Sequence, residues 1–175
     1  VHARKAWLQG LSPKENREVP PLNYPWVYQL KADLPHLSIV LNGGIQTLEQ
    51  CKSHLAQVDG VMMGREAYQN PWLLAQVDRE LFGMDNPALS RDDIQVALLE
   101  YVEQQLTRGV HLNHITRHIL GLYQGVPGAR KFRRHISENA YKKNAGLEVL
   151  TGAFALVGGV DGPRQSASAQ AMRNA

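Results

Sequence analysis

Two short aliphatic runs, each stopped by glycine and each followed by a helical pattern, constrain this chain more than anything else in it. Leu37-Ser38-Ile39-Val40-Leu41 reads as a buried strand and ends on Asn42-Gly43-Gly44. Thr47 can then cap a helix that places Leu48, Cys51, Leu55 and Val58 on one face. Asp59-Gly60 turns the chain into a second strand, Val61-Met62-Met63, which Gly64-Arg65 stops. Asn70-Pro71 opens a further helix with Leu73, Leu74, Val77 and Leu81 on its apolar side. Strand, helix, strand, helix with short connections implies parallel strands and right-handed crossovers. Two such units cannot close a sheet or a barrel, so residues 1–84 are expected to be the last part of a larger α/β fold.

The pattern changes at Asp85-Asn86-Pro87, where a domain boundary is expected. Beyond it the signals are helical. Ser90 with Asp93 resembles a capping box, and Ile94, Ala97, Leu98, Tyr101, Val102 and Leu106 follow at helical spacing until Gly109. A second helix carries Ile115, Ile119, Leu120 and Leu122 as far as Gly121 or Tyr123. Gln124-Gly125-Val126-Pro127-Gly128 is a tight loop. A third helix runs from Arg130 to Ala140 and a fourth from about Gly146 to Leu156. From residue 158 the composition turns to Gly, Ser, Ala and Gln, as in a mobile tail. The predicted fold class is α/β plus all-α, with a helical domain over 85–157 and a tail over 158–175.

Charge separates the two regions. The net charge is +3. Residues 1–84 hold 8 basic and 8 acidic side chains, whereas 85–175 hold 11 and 8. Within 108–143 there are 8 basic residues (Arg108, Arg117, Arg130, Lys131, Arg133, Arg134, Lys142 and Lys143) and a single acid, Glu138. That density points to a polyanion partner, held mainly through phosphates. His111 and His114 are three apart, but no Cys or acidic residue nearby completes a metal set, and none is expected. No apolar run approaches the ~20 residues of a membrane-spanning helix. The single cysteine excludes a disulfide framework, so a cytoplasmic location is the default. Val1 runs straight into a charged stretch with no initiator Met, which reads as a fragment lacking its N-terminal part.

Asn42-Gly43-Gly44 and Gly64-Arg65 each follow a predicted parallel strand. Glycines let backbone N–H groups approach a phosphate, and an arginine adds a charged donor fork. In a TIM barrel the loops after the last two strands are a common phosphate site. The pair at this spacing therefore predicts phosphate binding.

The chain also carries His2-Ala3-Arg4-Lys5-Ala6-Trp7-Leu8, Gly10-Leu11-Ser12-Pro13-Lys14-Glu15-Asn16-Arg17, Asn42-Gly43-Gly44-Ile45 and Asp59-Gly60-Val61-Met62-Met63-Gly64-Arg65. These, with the stretch from Arg117 to Arg130, resemble the dihydrouridine synthase family, and its bacterial A branch in particular. The resemblance spans about residues 1 to 155 and keeps motif order and spacing. It implies the closing βα units of a TIM barrel followed by a helical tRNA-binding domain. It implies FMN, reduced by NADPH, and hydride addition to the C5–C6 double bond of a D-loop uridine at position 20 or 20a. On matching positions, His2, Asn42, Gly43, Gly44, Gly64 and Arg65 would hold the flavin and its phosphate. Arg4 and Lys5 would lie near the base. Lys14, Arg17, Arg117, Arg130, Arg133 and Arg134 would touch the tRNA.

One departure matters. The family's acid cysteine lies in an Asn-x-x-Cys-Pro segment that is absent here, and Cys51 reads instead as a small buried hydrophobe on its helix. No catalytic residue is therefore assigned, and the chain alone is expected to be inactive and either unstable or prone to associate. Trp7, Tyr24, Trp26 and Tyr28 are open to two readings, stacking on bases or packing in the core. Two rival functions remain: a flavoenzyme of the TIM-barrel kind acting on a small molecule, and an RNA-binding module without catalysis. Neither a DNA partner nor an obligate protein partner is expected.

Overall fold

The computed structural model describes residues 1–7, 9–85 and 89–157. Leu8 of the first motif, Asn86 and Pro87 of the expected boundary and the 158–175 tail lie outside the described residues. The chain divides into two compact units, Val1–Pro87 and Ala88–Ala175.

In the first unit, helix α1 (Tyr24–Asp33) precedes strand β1 (Val40–Asn42), helix α2 (Leu48–Leu55) and strand β2 (Gly60–Met62). The strands are parallel, with Leu41 opposite Val61 and Asn42 opposite Met62. A third extended segment runs beside β1: Asn42 N–H donates to Val1 O at 2.8 Å, and Ala3 N–H donates to Asn42 O at 2.7 Å. The core between sheet and helices is built on Leu41, Cys51, Val27, Ile39 and Ile45. Parallel pairing needs a crossover, and α2 provides it. Its start is fixed by a full capping box, in which Thr47 Oγ1 accepts from Gln50 N and the Gln50 side chain accepts from Thr47 N. Such a cap contributes about 1 kcal/mol.

Three expectations shift here. The first strand begins three residues later than its apolar run, because Leu37 belongs to the turn closed by its N–H to Leu34 O. On α2 the buried face is Leu48, Cys51 and His54, whereas Leu55 is exposed. The helix expected after Pro71 is a 3-10 segment (Pro71–Gln76) that becomes α-helix α4 only at Val77–Phe82, after the short helix α3 (Arg65–Gln69). At three residues per turn the 3.6-residue stripe slips, and Leu74 is left 49% exposed.

The second unit comprises α5 (Arg91–Thr107), α6 (Leu112–Thr116), α7 (Ala129–Asn139) and α8 (Leu147–Ala155). Ser90 and Asp93 form the capping box of α5. The core is aromatic. The ring of Tyr123 meets Phe132 edge-on at 4.8 Å between centroids, and Phe132 stacks on Phe154 at 6.0 Å. Val102, Leu112 and Leu150 complete the buried centre. The helix expected to reach Gly121 or Tyr123 stops at Thr116. The Thr116 hydroxyl donates back to Leu112 O, and His118, Ile119 and Leu122 then make i→i−3 bonds in a run of turns.

Candidate functional site

The carboxyl ends of β1 and β2 open onto one cavity of about 330 Å³. All six residues expected to hold a phosphate-bearing cofactor, His2, Asn42, Gly43, Gly44, Gly64 and Arg65, line it. Met62 and Glu66 add an apolar patch and one carboxylate to the wall.

The glycine turn is required twice over. Gly43 and Gly44 have φ of +130° and +72°, where an L side chain is strained. A Cβ on Gly44 would also stand 2.5 Å from Leu22 Cδ1. The turn is therefore seated on Leu22, with the Tyr24 hydroxyl donating to Gly43 O at 2.8 Å. Because Tyr24 opens α1 behind an Asn23 cap, and Asn23 N–H donates to Ala3 O at 2.8 Å, this support is tied to the segment beside β1.

His2 faces the same cavity. Its Nδ1 accepts from Arg4 N–H at 3.0 Å, which leaves Nε2 to carry the proton of the neutral ring. Burial holds its pKa below the ordinary histidine value, and the charges of Arg4 and Arg65 lower it further. A neutral donor is therefore the dominant form near pH 7.

Arg65 begins α3, and its Nη1 meets Glu18 Oε1 at 3.1 Å in an ion pair whose side chains are each 52% exposed. Such exposed pairs are weak. The α2 N-terminus contributes less than its position suggests. The Gln50 N–H is taken by Thr47, and the Gln46 N–H donates to Gln50 Oε1 at 2.7 Å. The cavity's polar lining thus comes from the glycine turn, His2, Arg65 and the amide side chains of Asn42, Gln46 and Gln69.

The residues expected near a nucleic acid fall into different surroundings. Arg4 turns inward: its Nη1 donates to Glu18 O at 3.1 Å and also to Pro20 O, so it shapes the 18–20 loop. Lys5 is exposed, as is Lys14 at the start of a short 3-10 turn, Glu15–Arg17, which places Arg17 by its backbone. In the second unit Arg130 and Arg134 are exposed on α7 and Arg133 is half-buried, while Ala129, Phe132 and Ile136 form the buried face of the same helix. Arg134 pairs with Glu138 one turn on at 2.6 Å, and Glu138 holds its guanidinium in the charged form. Exposed Arg117 directs Nε to His118 Nε2 at 2.9 Å. Gln124, Gly125, Val126 and Gly128 wall a further cavity of about 450 Å³ with Arg130, Lys131 and Arg133 at the start of α7.

The four aromatic candidates divide. Tyr24 and Tyr28 are partners of His54, whereas Trp26 is 63% exposed and Trp7 also reaches solvent. Cys51 is fully buried, its thiol pushed up by burial, with Sγ 3.4 Å from Met63 Sδ. It is a core residue. Glu18, the partner of Arg65 across 47 positions, carried no local signal in the sequence. Tyr24 carried one, the Asn23 cap followed by Pro25.

A parallel β–α–β unit with a cavity at its strand carboxyl ends marks part of an α/β fold, here joined to a basic helical unit. The chain belongs to the dihydrouridine synthase family, whose model matches residues 1–156. That family has the TIM-barrel fold and is generally flavin-dependent, and the small parallel sheet seen here is consistent with part of such a barrel. The chain is 59% identical over 157 residues to the tRNA-dihydrouridine(20/20a) synthase of Vibrio cholerae, covering 90% of this chain and 48% of that protein. Against the proteins of the same name from Yersinia pestis and Salmonella typhimurium, identity is 62% and 59%, with 90% of this chain and 46% and 47% of theirs covered. The chain spans about half the length of the curated relatives it matches.

Proposed function

We propose that residues 1–84 supply the flavin-phosphate cradle, and residues 85–157 the tRNA-binding domain, of a tRNA-dihydrouridine synthase. The full activity is FMN- and NADPH-dependent reduction of a D-loop uridine, at position 20 or 20a, to 5,6-dihydrouridine. The observation that carries this reading is the convergence of His2, Asn42, Gly43, Gly44, Gly64 and Arg65 on one cavity at the ends of parallel strands.

The donor set fits a phosphate monoester. Close backbone approach at the two glycines, a neutral imidazole N–H at His2 and a guanidinium at Arg65 are all donors to a dianion. In binding, Arg65 exchanges the Glu18 carboxylate for phosphate oxygens. The flavin supplies the hydride chemistry when bound. Cys51, buried in the core, does not supply the proton that completes the reduction. Lys5, Lys14, Arg17 and the α7 arginines hold the tRNA backbone, which positions the molecule without reading its bases and offsets the cost of extruding one uridine. Tyr24 and Tyr28 are half-buried and engaged with His54, so base stacking falls to the exposed Trp7 and Trp26. A tRNA substrate also argues for a cytoplasmic location.

The test is the visible spectrum of the full-length protein carrying Arg65→Ala. The unaltered protein is expected to retain flavin through purification, bleach with NADPH, and recover without oxygen only on addition of unmodified tRNA. The variant is expected to lose most of its flavin. Full retention would remove Arg65 from the phosphate site, and anaerobic recovery with a small oxidant in place of tRNA would identify a small-molecule flavoenzyme.

A further inference from the structure

Gly43 and Gly44 explain why a backbone can come close to a phosphate, but they leave open what aims it. Two successive glycines are the point in a loop where a peptide plane rotates with least resistance. A cradle made of backbone N–H groups needs that plane held.

We propose that Tyr24 is a positioning residue for the phosphate cradle: its hydroxyl holds the Gly43 carbonyl and so fixes the direction of the Gly44 N–H. This rests on the phosphate reading of the cavity given above. Tyr24 Oη donates to Gly43 O at 2.8 Å. In a trans peptide the N–H of the next residue points opposite to that carbonyl. With the Gly43 carbonyl turned to Tyr24, the Gly44 N–H is turned away from α1. Gly43 and Gly44 line the cavity and Tyr24 does not, so Tyr24 acts on a ligand only through the turn.

Tyr24 is itself firmly seated. Its ring lies 4.4 Å from the His54 ring on α2. His54 is buried, and its Nδ1 is 2.6 Å from the Tyr28 hydroxyl one helical turn further along α1. Leu22 meets the turn from below, with its Cδ2 only 3.0 Å from where a Gly43 Cβ would stand. A hydroxyl on a rigid ring, anchored to two helices, thus aims a segment that has no side chain to anchor itself. Burial raises the phenol's pKa, which keeps the donor proton in place.

The experiment is a pair of titrations on the full-length protein stripped of flavin, with FMN and with riboflavin, which lacks the phosphate, read by quenching of flavin fluorescence. The preference for FMN over riboflavin measures the cradle alone. Tyr24→Phe is expected to cut that preference about two- to tenfold, the range for loss of one hydrogen bond, and to leave riboflavin affinity unchanged. Val27→Ala, which removes buried packing from the same helix but no hydrogen bond, is expected to keep the preference and so reports any general loosening of α1. A Tyr24→Phe protein that keeps the full preference, or loses both ligands equally, overturns the proposal. Arg65→Ala separates the two readings: if it collapses the preference while Tyr24→Phe does not, Tyr24 has no positioning role and the phosphate site stands. If neither variant changes the preference, the phosphate site itself is wrong.

Discussion

The two units of this chain present their candidate binding groups by opposite means. In the first unit the cradle is made largely of backbone, at Gly43 and Gly44, and the surrounding side chains shape it from behind. In the second, helix α7 offers charged side chains on one face while Ala129, Phe132 and Ile136 lock the other into an aromatic core. A backbone site is rigid, specific in shape and intolerant of substitution. A side-chain site on a helix face is additive, with each charge contributing its share and no one of them required for the fold.

The largest expected effect tests the backbone side of this contrast. Gly44→Val puts a β-branched residue at φ +72° and drives its Cβ into Leu22. The combined strain is of order 1–3 kcal/mol for the backbone alone, before the clash is added. Flavin affinity of the full-length protein is expected to fall more than tenfold, while the salt dependence of tRNA binding stays as it was. Near-normal flavin binding would show that the cradle is not the glycine turn.

The side-chain face should fail more gradually. Replacing Arg130 and Arg134 together by Ala is expected to lower the slope of log affinity for tRNA against log salt by ~0.7–0.9 for each phosphate no longer neutralised. Flavin binding should be untouched. An unchanged slope would take these residues out of the interface, and a loss of folded protein would contradict their exposed placement on α7.

The smallest effect concerns acid. His54 is buried between α1 and α2 with its pKa held below the usual 6.5 by burial, so the folded state resists protonation that the unfolded chain accepts. Its contribution to stability is complete above about pH 6.5 and declines as pH falls from there toward the lowered folded value. Thermal melts of the wild-type protein should therefore drop between pH 7 and pH 5 more steeply than those of His54→Gln. Equal slopes would mean that His54 is already solvated in the folded state.

The same contrast explains what was legible from sequence. Helix starts written in side chains were plain: Thr47 caps α2, and Ser90 with Asp93 forms the box that its spacing implies. The parallel strand pair followed from the strand–helix–strand order, and the basic face of α7 from its run of arginines and lysines. Other features are set by tertiary packing. His54 displaces Leu55 from the buried face of α2 because Tyr24 and Tyr28 stand opposite it. The 3-10 run from Pro71 to Gln76 breaks a stripe that looked α-helical. The Arg65–Glu18 pair joins residues with no common local pattern. Arg4, a candidate for the substrate side, is engaged instead with the carbonyls of Glu18 and Pro20. Its charge was visible in the sequence, but its direction depends on where a distant loop comes to rest.

The close seat of Gly44 on Leu22 also bears on how such a sequence can drift. Trimming residue 22 would make room for a methyl group at 44, yet the backbone angle there would still oppose it. Altering the angle first would swing the turn off its seat. A side chain at 44 therefore calls for both a smaller neighbour at 22 and a different turn, so the two positions constrain one another.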